Sequence, residues 1–254
     1  MRTDATTLDS HATAYSKDFA HFEENRIVHE AYGLRIATQL VQRGARRVLS
    51  LGIGHTEVAR PVVELLRRGQ IDRYVIVDAA PTIIAGFREQ MAPLPPALDL
   101  VQAFFEDFDE SLGTFDAIEA GFILEHVDDP GLVLRRMRSF IAPGGCLHVA
   151  VPNARSLHRL LGQEAGLLAD LYALSDADRA LGHRRYFDVD RLTTLAKQSG
   201  WSVDACAGLL LKPFTTSQLA TLALPPPAWR ALQALAAPYP AISNAFCMEL
   251  SACA

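Results

Sequence analysis

Apolar and polar positions along this chain fall into two kinds of block that alternate through its middle. Near-continuous apolar runs bounded by glycine, aspartate or proline predict buried strands at 47–51, 74–78, 99–104, 115–121 and 146–152. Between them, apolar residues recur at helical spacing and predict helices over 56–68, 81–91 and 130–141. Pro130 opens the last of these, with Leu134, Met137 and Ile141 as its apolar stripe, and Pro143-Gly144-Gly145 stands beyond its end. Met91-Ala92-Pro93-Leu94-Pro95-Pro96 reads as a loop, because its prolines cannot continue a helix. Strands separated by helices imply an α/β fold, a doubly wound and mostly parallel sheet with crossovers on both faces.

The flanks read differently. Tyr15, Phe19 and Phe22 share one face at helical spacing, and a second amphipathic helix over 26–43 presents Ile27, Ala31, Leu34, Ile36 and Leu40. Residues 154–190 interrupt the alternation with Leu157, Leu160, Leu161, Leu167, Leu168 and Leu171, which suggest short amphipathic helices. Ligands of doubly wound sheets bind at the carboxyl ends of the strands, so this insertion is the expected substrate lid. A helix at 189–199 with Gly200 as its cap, a strand at 201–209, a helix after Leu224-Pro225-Pro226-Pro227 and a strand at 245–252 complete the pattern. We read residues 1–254 as one domain: a helical cap at 1–45, a core at 46–153, a lid at 154–190 and the end of the sheet at 191–254.

Composition narrows the partners. Of 254 residues, 50% are hydrophobic and 21% charged, which is globular, and the net charge of −5 argues against a nucleic-acid partner. The basic stretches at 43–47 and 135–138 are short and read as solvated helix faces. No apolar run approaches a membrane span, and residues 2–17 lack the apolar core of a signal peptide, so a cytoplasmic location is expected. Cys146, Cys206, Cys247 and Cys253 have no ligand-like spacing, and the first two are expected to be buried reduced thiols.

Candidate chemistry begins where Val48-Leu49-Ser50-Leu51 runs into Gly52-Ile53-Gly54 and the next apolar run ends in Asp78. Glycines at a strand end let the backbone turn sharply and approach a ligand, and a carboxylate at the neighbouring strand tip accepts the hydroxyls of a ribose. An adenosine-containing cofactor follows. A dinucleotide fingerprint needs a third small residue here, and Glu57 is too large and wrongly charged for a pyrophosphate site.

The glycine loop resembles the first motif of class I S-adenosylmethionine-dependent methyltransferases, of the branch that acts on small molecules. The stretch Phe115–Pro130, containing Leu124-Glu125-His126-Val127, and the stretch Ala142–Asn153, with Pro143-Gly144-Gly145, resemble the fourth strand, fourth helix and fifth strand of the same family. The resemblance runs from about Val48 to about Trp201 and implies a seven-stranded sheet ending in an antiparallel hairpin. It implies S-adenosyl-L-methionine as cofactor, held by Leu51, Gly52, Ile53, Gly54, Asp78 and Ala79. It places Phe122 against the adenine or the sulfonium, Glu106 or Asp107 near the adenine amino group after Phe104, and an N-terminal helix carrying Tyr15 over the cofactor. Two positions depart from the motif on the methionine side: its acid is Ser50 and its third glycine is Thr56.

The methyl group of a sulfonium is already an activated electrophile, so alignment and water exclusion come first. A base is needed where the acceptor is a hydroxyl or a charged amine. His126, after the fourth strand, and His183, in Gly182-His183-Arg184-Arg185-Tyr186, are the candidate bases. Arg184, Arg185 and Tyr186 are the candidate acceptor contacts. Some relatives carry Glu-x-x-Glu-His at the fourth strand for a divalent ion; the first position here is Phe122, so no metal is expected. The resulting expectation is methyl transfer to an oxygen or nitrogen of a small metabolite: a sugar, nucleotide sugar or heteroaromatic compound. Two alternatives remain at this point: an inactive pseudo-methyltransferase that binds a partner, motivated by Ser50 and Thr56, and a nicotinamide oxidoreductase, disfavoured by Glu57 and the lack of a Tyr-x-x-x-Lys pair.

Overall fold

The computed structural model describes residues 22–253, so Tyr15 and Phe19 lie outside the described residues. A long helix, α1 (Phe22–Arg43), leads into β1 (Arg47–Leu51), α2 (Thr56–Arg67), β2 (Arg73–Asp78), α3 (Pro81–Met91) and β3 (Leu98–Gln102). The second half runs β4 (Phe115–Gly121), α4 (Pro130–Phe140), β5 (Ile141–Pro152), α5 (Leu157–Glu164), α6 (Asp176–Ala180), α7 (Val189–Gln198) and β6 (Trp201–Gly208). It closes with α8 (Thr216–Thr221), α9 (Pro226–Ala236) and β7 (Ala245–Ala252).

The seven strands form one sheet in the order β3-β2-β1-β4-β5-β7-β6. The first five are parallel, and β7 runs antiparallel between β5 and β6. Each sheet face carries its own apolar layer. Val48, Tyr74, Ile76 and Ala117 pack under α1 and α2, whereas Leu49, Val75, Ile118 and Leu147 pack under α4 and α7. Burial on both faces explains why the strands read as continuous apolar runs rather than alternating ones. Among the described residues no helix is long and apolar enough to cross a membrane.

Several boundaries differ from the sequence reading, each for a local reason. In α1 the buried stripe is Val28, Tyr32, Ile36 and Leu40, while Leu34 is 55% exposed. Gly33 sets that orientation, because a Cβ there would meet the Glu57 carbonyl oxygen at 2.5 Å; α1 crosses the start of α2 in backbone contact. Helix α4 stops at Phe140, so Ile141 begins β5 instead of completing the helix stripe. Strand β5 advances from Ile141 to Cys146 while β4 advances only from Phe115 to Ala117, and Pro143-Gly144-Gly145 takes up the excess as a bulge with Gly144 at φ +78°. Strand β3 ends at Gln102, which frees Phe104 to turn toward the carboxyl edge. Gly200 follows the cap residue Ser199 of α7 at φ +85°, the left-handed position that favours glycine.

Trp201 opens β6 fully buried, and its indole Nε1 donates to the Leu134 carbonyl of α4 at 2.9 Å. It fastens the antiparallel end of the sheet to the parallel part, far from the glycine loop. Trp201→Ala is expected to lower unfolding free energy by about 3–5 kcal/mol. Denaturant melts of the two proteins should show that loss as a lower midpoint.

Candidate functional site

The loops that follow the parallel strands surround one large cavity of about 1330 Å³. Pockets for a single small ligand run to roughly 300–1,000 Å³, so this one has room for a cofactor and an acceptor together. Its two halves differ in chemistry.

In the first half, Gly52 and Gly54 turn the chain after β1 with φ of +82° and +50°. The backbone N–H of Ile53 donates to Asp78 Oδ2 at 2.9 Å, and Ala80 N–H donates to Oδ1 at 2.8 Å. Asp78 thus ties the glycine loop to the end of β2, and a carboxylate keeps further lone pairs for a ligand diol. Gly52, Ile53, Gly54, Asp78 and Ala79 all line the cavity. Glu106 lines it half-buried beside Phe104 and Phe105, while Asp107 is exposed outside it. Leu51 does not reach the cavity; its side chain is buried on the opposite sheet face and anchors the loop from below. Thr56 turns away toward Gln90 and stays outside the cavity, so its bulk does not block the site.

Phe122 stands just after β4 at φ 58°, an uncommon conformation for a residue with a side chain. Its ring packs 4.3 Å from His29 and edge-on to Tyr32 at 5.8 Å, and His29 stacks on His55 at 4.4 Å. Burial, with His55 beside it, holds His29 well below its ordinary pKa, and burial lowers His55 to about 4. Helix α1 therefore gives the cofactor half a neutral aromatic wall.

In the second half, Glu125, His126 and His183 converge, with donor atoms within 4.8 Å of one another. The two imidazoles meet edge to face at 4.8 Å. Glu125 is 1% exposed, both its carboxylate oxygens lack a hydrogen-bond partner, and burial raises its pKa to about 7 against the pull of His183. His183 Nδ1 lies 3.1 Å from Asp178 Oδ1. Burial pushes Asp178 up, but hydrogen bonds from His183 and Ser175 outweigh it and hold the carboxyl well below the usual range. Asp178 sits at the start of α6, where Ser175 and Asp178 cap each other reciprocally, so the lid insertion delivers it in a fixed place.

The polar cluster after the lid divides. Arg184 lines the cavity but pairs with Asp128 at 2.6 Å. Tyr186 lines it too, with its hydroxyl donating to Asp178 at 2.9 Å and its ring 4.3 Å under the Arg159 guanidinium. Arg185 is placed differently from the expectation: it donates to the Leu124, Val127 and Asp128 carbonyls and braces the turn after β4 instead of facing the cavity. For a metal, the trio offers two imidazoles and one carboxylate, and Phe122, packed against His29 and Tyr32, adds no donor.

Other cavity groups escaped the sequence reading. Lys212 Nζ donates to Glu24 at 2.7 Å and to Thr216 at 2.8 Å, and Asn244 donates to Glu24 at 2.9 Å. These partners come from opposite ends of the chain, and no local pattern announces them. His29 and Glu119 were equally silent, since each is defined by what the fold places against it.

Residues 19–205 match the model of a family described as a methyltransferase domain. The mitochondrial ubiquinone biosynthesis O-methyltransferase of Mus musculus is 27% identical over 110 residues, 43% of this chain and 29% of that protein. The match thus spans under a third of the length of that relative. The magnesium protoporphyrin IX methyltransferase of Synechocystis PCC 6803, solved with S-adenosylhomocysteine, superposes with a TM-score of 0.61 at 12% identity, covering 97% of this chain and 94% of its own. An S-adenosylmethionine-dependent methyltransferase of Mesorhizobium loti superposes at 0.57 with 14% identity over 91% and 97% of the two chains. Family match and sheet order agree: the chain belongs to the methyltransferase domain family.

Proposed function

We propose that this enzyme methylates an oxygen or nitrogen of a small, uncharged metabolite and that His183 removes the acceptor's proton. The observation that carries this reading is the meeting of Glu125, His126 and His183 across the cavity from the glycine loop, with Asp178 behind His183. The cofactor supplies an electrophilic methyl group; the chain has to place the acceptor in line with it and take up a proton.

Asp178 is suited to the orienting role. Hydrogen-bonded to Nδ1, it leaves Nε2 of His183 free to face an acceptor and stabilises the imidazolium once the proton arrives. Glu125 adds to this when ionised, because a buried anion beside His183 favours the charged ring. His126, edge-on to His183, limits where the acceptor group can lie. Tyr186 holds Asp178 from the other side and acts as a positioning residue.

The cavity's cations favour an acceptor without phosphate. Arg159 donates to the Leu171 and Ala173 carbonyls, Arg179 pairs with Asp176, Arg184 pairs with Asp128, and Lys212 pairs with Glu24. With each already committed, a hydroxyl- or amine-bearing sugar or heteroaromatic compound fits better than a nucleotide sugar. Two predictions test the base. His183→Asn is expected to lower kcat by about 10²–10⁴-fold while S-adenosylhomocysteine affinity stays within about twofold. In the wild type, kcat/KM should fall as pH drops below about 7, where Glu125 gains a proton, and Glu125→Gln should flatten that acid limb. A pH–rate profile of the two proteins reads this directly, and an unchanged limb in Glu125→Gln would refute the role. A third prediction concerns metal: exhaustive dialysis against a chelator should leave turnover unchanged. Activity lost on chelation and restored by a divalent ion would reassign Glu125, His126 and His183 as its ligands.

A further inference from the structure

Glu119 lies on the central strand β4, 3% exposed, with its carboxylate lining the cofactor half of the cavity. Its register partner on β1 is Ser50, the position where the glycine-loop motif would carry its acid. Both side chains leave the sheet on the α1 face, as Val48 and Ala117 do two residues earlier. Ser50 is engaged with the Tyr74 hydroxyl at 2.8 Å and does not line the cavity.

One Glu119 oxygen accepts from the Gly121 N–H at 2.6 Å. Gly121 also makes the space: a Cβ there would lie 2.6 Å from Glu119 Oε1 and 2.2 Å from the Tyr32 ring. No basic side chain among the described residues is set against this carboxylate, and burial, opposed by hydrogen bonds from Gly121, Ser50 and Tyr32, raises it to about 7. A buried carboxyl facing a ligand cavity without a cation of its own is costly unless the ligand brings one. The methionine end of the cofactor does so, as an α-ammonium group.

We propose that Glu119 binds the α-ammonium of the cofactor's methionine moiety, and so supplies from β4 the carboxylate that the Ser50 position of β1 lacks. The placement agrees with Asp78 as the ribose contact. Strands β2 and β4 flank β1, so the two acids stand about 10 Å apart across the sheet, which suits two separate groups, the ribose and the amino-acid end, of one extended ligand. A charge-assisted hydrogen bond in a dry site also discriminates: it rewards a ligand with a free amino group and rejects one without it.

The test is calorimetric binding of two adenosine compounds to the full chain. S-adenosylhomocysteine carries the amino-acid end but no sulfonium, and methylthioadenosine lacks the amino-acid end. Glu119→Gln is expected to weaken S-adenosylhomocysteine tenfold or more and methylthioadenosine less than twofold. Asp78→Ala should weaken both, because both contain the ribose. Equal weakening of the two compounds in Glu119→Gln, or no weakening of either, overturns the proposal. Should Glu119→Gln fail to fold, Glu119→Asp withdraws the charge by one methylene and must likewise weaken only S-adenosylhomocysteine. The inference rests on the cofactor assigned to the family; wild-type protein that binds neither compound would remove both.

Discussion

The parallel pairing of β1 between β2 and β4 is the constraint on which the rest of this structure depends. Parallel neighbours require a crossover between each pair, and the parallel pairing puts the carboxyl ends of β1 to β5 on one edge. Gly52, Asp78, Phe104, Phe122 and Asn153 therefore border a common space although the sequence scatters them over the first three-fifths of the chain. The same pairing fixes register, and register decides which side chains become neighbours. Ser50 and Glu119 are adjacent for no reason other than the β1–β4 alignment.

Within that frame the cavity works by contrast. Its cofactor side is walled by neutral rings, Phe122, His29 and His55, with the carboxylates of Asp78, Glu106 and Glu119 among them. Its acceptor side concentrates titratable groups, and the burial that raises Glu125 also strengthens the Asp178–His183 contact. The buried positions that look expensive one at a time are thus divided into two sets with different partners.

Much of the fold was legible because its signals are local. Apolar runs ending at Leu51, Val77 and Gly121 mark buried strands, and Pro130 and Gly200 mark helix ends, since each acts through its own backbone. The glycine loop and Asp78 were legible for the same reason. What failed was orientation and long-range contact. Leu34 looked like core and Tyr32 did not, because the deciding fact is the approach of α2 to Gly33. Arg185 looked like a ligand contact, but three backbone carbonyls of the β4–α4 turn claim it first. The helix at Thr216–Thr221 is an exception: Thr215 and Gln218 form a capping box that the sequence displays openly and that went unread.

The Glu24–Lys212 pair has a consequence for how such a site diversifies. It joins the first turn of α1 to the segment after β6, so the cavity wall is a loop closed by charge rather than by the chain. Changes in the 154–190 insertion can reshape the acceptor side one residue at a time. The closure itself admits no single step, because losing either partner strands a charge in a dry interior. New acceptor specificities should therefore arise by drift in the lid, while the clasp changes only as a pair.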